Sequence, residues 1–317
     1  MPVSVEGWQP CSDSSLLRGD PLGGTAGFGE RWFLVEIDGA WGAHAILQSR
    51  MDGALAARLV ARVEKAGIRP LAIRRTGRRA DERRAQTVWR WALVDSRPGR
   101  ESVLWGQVDA PEALLDVPLD GSVGELSNEP VLCVCTHARH DQCCAVKGRP
   151  IVQALASEHP ELTWECSHLG GDRFAATMVV LPEGLLYGRV PGADAPGLVT
   201  RYAAGLVDAR FLRGRTALSN VAQAAEGFAR ARTGDERITA FRVVSESATD
   251  DGWMVTLDHD GAIVTVELGS ALSEPLLSTC NATLSMRVRE FVLRSIELAP
   301  RGGGGGGGGA RAQEKSP

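Results

Sequence analysis

The sequence predicts an α/β protein of three successive units. Segments rich in β-branched and aromatic residues alternate with segments of helical spacing, 44% of the 317 residues are hydrophobic, and five of the seven cysteines lie in the middle of the chain. That much apolar material is enough for a sizeable core in two or three domains. The predicted organisation is an extended leading segment (1–28), an N-terminal α/β unit (29–122), a central domain (130–212), a smaller C-terminal α+β unit (215–299) and a disordered Gly-rich tail (300–317).

The N-terminal unit shows both strand and helix patterns. Residues 31–37 (RWFLVEI) have strand composition, and residues 52–66 carry leucine and valine at helical spacing. Residues 70–75 and 89–95 are then predicted strands on either side of a basic run, 74–84. Because acidic residues interrupt that run and no aromatic residues interleave it, we interpret it as a solvated face rather than a nucleic-acid patch.

The central unit has a compact order that begins β–α–β–β and ends in a helix, which suits a thioredoxin-like half. Asp194 is a candidate N-cap for that last helix, which carries apolar residues at four-residue intervals. The earlier predicted elements are a strand at 131–135, a helix at 146–157 and strands at 162–167 and 174–181. The predicted fold is therefore a thioredoxin-like central domain flanked by the two other units.

The C-terminal unit is predicted as α+β. Residues 217–231 are helical, and three strand patterns follow at 238–245, 254–259 and 262–268. The dipeptide Asp260-Gly261 between the last two strands is typical of a tight hairpin turn. Residues 288–298 fit a strand and a helix equally well.

Charge and hydropathy give no sign of nucleic acid or membrane binding. The 35 basic and 39 acidic residues give a net charge of −4, which is close to balanced. The longest apolar runs fall far short of the roughly 18 residues that a membrane span needs. The N-terminus MPVSVEGWQP carries no secretory pattern, so we expect a cytoplasmic protein.

The cysteines are the strongest chemical signal. In a reducing cytosol, clustered cysteines are more often metal-binding or catalytic than structural disulfides, and an odd count argues against a disulfide framework. Cys11 and Cys280 stand apart from the others, and we interpret them as having no role. The clustered ones are Cys133, Cys135, Cys143, Cys144 and Cys166.

Two predicted loops carry the candidate ligands. The first, 135–144 (CTHARHDQCC), links a buried strand to a helix, and the second lies within 164–175 (WECSHLGGDRFA), between two strands. Such loops can meet at one edge of a sheet. Thiolates suit iron–sulfur clusters, copper(I) and zinc, and imidazole suits iron and zinc. The Gly170-Gly171 pair lets the backbone approach a bulky inorganic group closely.

These loops, together with 181–190 (LPEGLLYGRV), resemble the sucrase/ferredoxin-like proteins, relatives of the thioredoxin-like ferredoxins. The resemblance is dense over 131–190, looser at 21–36 and weak after about residue 215. It implies a 2Fe–2S electron carrier that exchanges electrons with a reductase or an oxidase, with no substrate chemistry of its own. Its partners would include neither nucleic acid nor a membrane.

The resemblance also implies a ligand set. The first ligand pair falls on Cys135 and Cys144, with eight residues between them, and the second on His168 and Asp172, with three between. Some relatives carry His-x-x-x-His at the second pair, so Asp172 departs from that pattern. A carboxylate is a hard ligand and an unusual partner for cluster iron, and Cys166 or Cys143 is the alternative fourth ligand.

Other residues near these loops have open interpretations. Cys133 lies in an apolar strand and is interpreted as a small buried hydrophobe. Asp141 is predicted to be a helix N-cap. His137 and His140 are either donors that orient the metal ligands or solvated loop residues. Positive charge near the site would stabilise thiolates and comes from Arg139, Lys147 and Arg173.

Two further functions fit the same residues. A thiol–disulfide enzyme would use Cys135 or Cys143 as its nucleophile, near the start of a helix, although the chain has no Cys-x-x-Cys. A structural zinc site would use the same ligands as the cluster. Sugar hydrolysis is discounted, because nothing here resembles a pair of glycosidase carboxylates.

Overall fold

The computed structural model of the chain describes residues 9–76 and 88–300. Among these residues the helices are α1 (Cys11–Arg18), α2 (Gly53–Lys65), α3 (Gln142–Glu158), α4 (Ala195–Ala203) and α5 (Asn220–Thr233). The first ten strands are β1 (Arg31–Glu36), β2 (Arg69–Arg74), β3 (Trp89–Asp95), β4 (Ser102–Val108), β5 (Glu125–Ser127), β6 (Val131–Cys135), β7 (Thr163–Cys166), β8 (Met178–Leu181), β9 (Leu185–Tyr187) and β10 (Leu212–Arg215). The last four are β11 (Arg242–Thr249), β12 (Gly252–His259), β13 (Ala262–Leu272) and β14 (Arg289–Pro300).

The first ten strands form one sheet in the order β10-β9-β8-β6-β7-β2-β1-β3-β4-β5. Each half of this sheet follows the same plan. A parallel β–α–β unit, β1-α2-β2 in one half and β6-α3-β7 in the other, is extended by antiparallel strands on the far side of its first strand. The mixed α/β class predicted from the sequence is confirmed.

The two halves join at strands β2 and β7, which pair antiparallel. Ile73 lies opposite Cys166, and Arg74 lies opposite Glu165. The guanidinium of Arg74 donates two hydrogen bonds to the Glu165 carboxylate, at 2.6 and 2.8 Å. The N-terminal and central units therefore share one continuous sheet.

Apolar side chains cover both faces of the sheet. Phe33 and Val35 alternate along β1 with Trp32 and Leu34, so they point to the opposite face. On the face to which Phe33 and Val35 point, here called the first face, one apolar cluster packs under α2 and a separate one packs under α3 and α4. On the second face a single cluster crosses both halves, and it includes Cys135, Cys144 and Cys166.

The C-terminal residues form a separate antiparallel sheet in the order β11-β12-β13-β14, packed against α5. Strands β12 and β13 are joined at Asp260 and Gly261, whose φ angles of 51° and 84° suit the predicted hairpin turn. The ambiguous segment near residue 288 is strand β14. No helix of the described residues is long and apolar enough to cross a membrane.

Two local predictions are wrong. The leading segment is not extended throughout, because α1 forms over Cys11–Arg18, where Gly19 ends the helix in the left-handed conformation (φ 70°). Asp194 does not cap α4 with its side chain, since a 3-10 turn runs directly into that helix. The predicted tail beyond residue 300, residues 77–84 of the basic run and residues 1–8 lie outside the described residues.

Candidate metal centre

The first predicted loop brings Cys144 next to the end of β6. Strand β6 is buried along its whole length and ends at Cys135. Seven residues later α3 begins, and the Asp141 side chain caps it by accepting the Cys143 N–H at 2.8 Å. The N-cap prediction for Asp141 is confirmed. The cap fixes the first turn of α3, which carries Cys144.

Close packing of α3 on β6 depends on Gly148. A Cβ atom built on Gly148 would overlap the carbonyl oxygen of Cys135. A residue without a side chain is therefore needed one turn after Cys144, so that the helix can lie against the end of the strand.

The second predicted loop follows β7 and carries His168 and Asp172. Gly170 and Gly171 have φ angles of 96° and 79°, a region that favours glycine. The buried guanidinium of Arg213 donates a 2.7 Å hydrogen bond to the Gly170 carbonyl and occupies the space that a Gly171 side chain would need. This turn directs the Asp172 carboxylate back toward α3.

The four predicted ligand residues lie together. Oδ1 of Asp172 lies 3.2 Å from Sγ of Cys144 and 2.9 Å from Nδ1 of His168. One ligand atom each from Cys135, Cys144 and His168 lie within 4.8 Å of one another. The structure therefore brings together residues that are up to 37 positions apart, and their assignment as ligands stays a prediction.

The charges in this group favour one thiolate. A hydrogen bond from Cys144 and the nearby His168 hold the pKa of Cys135 well below its usual range, against the effect of burial. The same Cys135 contact, with burial, raises the pKa of Cys144. Burial opposes the charged form of His168, but the Asp172 carboxylate and Cys135 outweigh it and raise the His168 pKa to about 9.

The lack of a hydrogen bond at Nδ1 of His168 is the feature of this group that best fits a bound metal. This atom is buried, and its approach to Asp172 does not have the direction of a hydrogen bond, so it has no hydrogen-bond partner among the described residues. Buried polar nitrogens are rarely left unpaired in native proteins. The His168 ring lies beside two thiols, and a soft metal centre there would use one of its nitrogens.

His140 extends the group toward the surface. Its ring stacks on His168 with 3.7 Å between centroids, and its Nε2 lies 3.6 Å from Oδ2 of Asp172. His137 stacks behind His140 at 5.7 Å and donates from Nε2 to the Gly42 carbonyl. The three histidines line a cavity of about 250 Å³. The side chain of His140 is 33% exposed and that of His168 is 28% exposed, whereas both thiols are buried.

The two alternative ligands do not join this group of donor atoms. Cys166 lies opposite Cys135 in the pairing of β6 with β7 and is buried beside Cys133, and burial raises its pKa well above the usual range. Among the described residues it belongs to no group of three or more potential ligands. Cys143 points away from Cys144 into a different group, with Cys11 and Cys280.

Cys11 and Cys280 are the residues that the sequence reasoning missed. Both are isolated in sequence, yet they meet the Cys143 thiol, with Sγ–Sγ distances of 3.8 Å from Cys11 and 3.0 Å from Cys280. All three are free thiols. The only signal in the sequence is the odd cysteine count, which does not say which residues meet.

The comparisons with known proteins identify the family. A profile described as sucrase/ferredoxin-like matches residues 22–214, which is more than half of the chain. The chain belongs to this family. The match includes the whole Cys135, Cys144, His168 and Asp172 group, and it leaves out Cys11 and Cys280. No curated protein and no solved structure matches the chain.

Proposed function

We propose that this member of the sucrase/ferredoxin-like family is an electron-transfer protein whose central domain holds a 2Fe–2S cluster. The observation that carries the proposal is the convergence of two buried thiols, from Cys135 and Cys144, with the ring of His168, whose Nδ1 makes no hydrogen bond. The central half also supports a thioredoxin-like domain, because strands β7-β6-β8-β9 are joined to α3 and α4 in the predicted order.

Two pairs of side chains would hold the cluster. Cys135 and Cys144 supply one soft pair, and His168 with Asp172 supplies the second pair. When bound, the cluster would accept and return one electron, and histidine ligation on one iron would raise its potential above that of an all-cysteine site. The chain contributes the ligands and the buried setting of the thiols.

The surroundings of the group favour electron exchange at the histidine side. The thiols are closed off from solvent, whereas His168 and His140 are partly exposed beside the cavity. Oδ2 of Asp172 lies 3.6 Å from Nε2 of His140, so this carboxylate is close to the imidazole rings of both His168 and His140. A reductase or an oxidase that docks over these histidines would approach the cluster more closely than one docking elsewhere on the sheet.

A single zinc ion is the second candidate. The donor atoms of Cys135, Cys144 and His168 are compact enough to surround one metal ion. A tetrahedral zinc site needs four such ligands, and the nearby Asp172 would supply the fourth. A thiol–disulfide enzyme is disfavoured, because its two candidate nucleophiles, Cys135 and Cys143, are buried and so inaccessible to a protein disulfide.

Anaerobic purification of the full chain distinguishes these candidates. We expect a brown protein with about two irons and two sulfides per chain, the content of one 2Fe–2S centre. Cys133→Ala is the matched control, since Cys133 is equally buried but belongs to none of the ligand groups, and it should keep the iron. A colourless chain with zinc bound by Cys135 and Cys144 would overturn the electron-transfer proposal.

A further inference from the structure

A second group of thiols joins three distant parts of the chain. Cys11 is the first residue of α1, Cys143 lies in the first turn of α3, and Cys280 lies in the loop between β13 and β14. The Sγ of Cys11 lies 3.8 Å from that of Cys143 and 3.5 Å from that of Cys280, and the remaining Sγ–Sγ distance is 3.0 Å. Contacts across up to 269 residues are not imposed by local chain geometry.

Asp141 completes the group, and backbone N–H groups of two of its cysteines hold the Asp141 carboxylate in place. Its Oδ2 lies 3.8 Å from the Cys11 sulfur and accepts the Cys280 N–H at 2.6 Å, while its Oδ1 accepts the Cys143 N–H. Asp141 is fully buried. Backbone N–H donors on both of its oxygens fix the orientation of this carboxylate beside the three sulfur atoms.

Donors also surround the sulfur atoms. The Ser12 hydroxyl donates to the Cys143 sulfur at 3.4 Å, and the Cys11 N–H approaches the Cys280 sulfur at 3.5 Å. Hydrogen bonds of this kind orient thiolate ligands and stabilise their charge around a metal. These polar contacts distinguish the group from cysteines that are simply buried as small apolar residues.

Two of the three Sγ–Sγ distances fit a single tetrahedral ion. Zinc–sulfur bonds of about 2.3 Å place sulfur atoms roughly 3.8 Å apart in a tetrahedral site. The two distances from Cys11 match this spacing closely, at 3.8 and 3.5 Å. The 3.0 Å between Cys143 and Cys280 is shorter, but it is well beyond the roughly 2.05 Å of a disulfide.

We propose that Cys11, Cys143, Cys280 and Asp141 form a second metal site, which binds Zn²⁺ as a structural ion. Binding releases the remaining thiol protons to solvent and changes no oxidation state. The site is closed, as structural zinc sites are, because its Cys11, Cys143 and Asp141 side chains are buried.

The position of the site gives it a structural task. The loop that carries Cys280 also contacts the 135–144 loop of the proposed cluster site. There the Asn281 amide donates a hydrogen bond to the His140 carbonyl at 2.9 Å. An ion at the second site would fasten α1 and this loop to the start of α3, next to Cys144. Asp141 and Cys143 lie within the residues matched by the family profile, whereas Cys11 and Cys280 lie outside them, so the match does not include the complete site.

Metal analysis of the full chain and of Cys280→Ser tests the proposal. Cys280 is the least buried of the three thiols, so this variant is the one most expected to fold, and circular dichroism checks that it does. We expect about one zinc per wild-type chain, and zinc affinity at least about 100-fold weaker in Cys280→Ser, since a lost ligand exceeds the effect of an outer donor. Iron content should be unchanged.

A variant without the proposed cluster ligands tests the zinc site independently of the electron-transfer proposal. The Cys135→Ser/Cys144→Ser double variant cannot hold the cluster, yet it should still bind about one Zn²⁺ and, on replacement by Co²⁺, show thiolate-to-cobalt absorption. No tight zinc in this double variant, or zinc retained when Cys280→Ser is added to it, would overturn the second site. A Cys143–Cys280 disulfide found by mass spectrometry in place of zinc would also overturn it.

Discussion

The two cysteine groups differ in how the chain assembles them. The cluster group comes from two loops at one edge of the central half-sheet, all within residues 135–172. The zinc group draws on the first helix, the start of α3 and a loop of the C-terminal unit. The first lies within the motifs that carry the family resemblance, whereas the second comes together only in the tertiary structure.

Cys143 and Cys144 show where the groups separate. Neighbouring residues on an α-helix point roughly 100° apart, so adjacent thiols face different surroundings. Cys144 faces Cys135 and Asp172, whereas Cys143 faces Cys11 and Cys280. The Cys143 thiol, hydrogen-bonded by Cys11, has its pKa lowered to about 6, while that of Cys144 is raised. The dipeptide therefore contributes one thiol to each group.

The largest expected effect comes from replacing each of the adjacent cysteines, Cys143 and Cys144, by serine in turn. Cys144→Ser should remove nearly all iron and the visible absorption, because serine supplies no thiolate to the cluster. Cys143→Ser should keep the iron and lose the zinc. Iron, zinc and sulfide analysis of both proteins checks the difference, and iron loss in Cys143→Ser with a normal cluster in Cys144→Ser would reverse the assignment.

The fourth cluster ligand is tested by Asp172→Ala and Cys166→Ser side by side. Asp172 contacts both Cys144 and His168, whereas Cys166 lies with Cys133 in the core, so iron retention should fall in Asp172→Ala and persist in Cys166→Ser. Asp172→His should keep the cluster at a higher reduction potential, because neutral imidazole stabilises ferric iron less than a carboxylate does. The opposite pattern of iron content would remove Asp172 from the ligand set.

Gly148→Ala tests the packing of α3 on β6. The added methyl group meets the Cys135 carbonyl, and overpacking of this kind costs about 1–3 kcal/mol of unfolding free energy. Iron retention should fall as well, since the helix that carries Cys144 must move. Gly227→Ala in α5 is the matched control, because its methyl group enters open space and should stabilise the chain by about 0.5–1 kcal/mol. Equal denaturation curves for the two variants would contradict this reading.

The smallest effect is expected for Asp141→Asn. Asparagine caps a helix as well as aspartate does, so the bond from the Cys143 N–H should survive. The bond to the Cys280 N–H and the anionic ligand are lost, which should cost about 1 kcal/mol of stability and weaken zinc binding while iron stays. Isothermal titration with Zn²⁺ measures the change, and unaltered affinity would exclude Asp141 as a ligand.

Much of the fold could be predicted because local patterns determine it. Strand β6 is a continuous apolar run and was predicted with its observed bounds, and the Asp260-Gly261 turn has the residues that its φ angles require. Strand β10 was missed because LRGR looks polar. Its Arg213 and Arg215 are buried, and they are accepted there only because the Gly170 carbonyl and Glu101 bind their guanidinium groups.

Long-range features could not be predicted from the sequence. The β2–β7 pairing depends on Arg74 meeting Glu165, 91 residues away, and no local pattern gives that register. Helix α1 is short, and its stability comes from partners far along the chain, including Arg189, which donates to the Ser15 hydroxyl. The same limit explains why Cys11 and Cys280 were interpreted as isolated.

X-ray absorption spectroscopy at the iron and zinc edges of one anaerobic sample tests most directly the claim that the chain holds two different metal sites. At the iron edge, we expect an iron neighbour with mixed sulfur and nitrogen or oxygen ligation. At the zinc edge, we expect about three sulfur atoms near 2.3 Å and one oxygen near 2.0 Å. Iron without an iron neighbour, or zinc bound chiefly by nitrogen and oxygen, would contradict this claim.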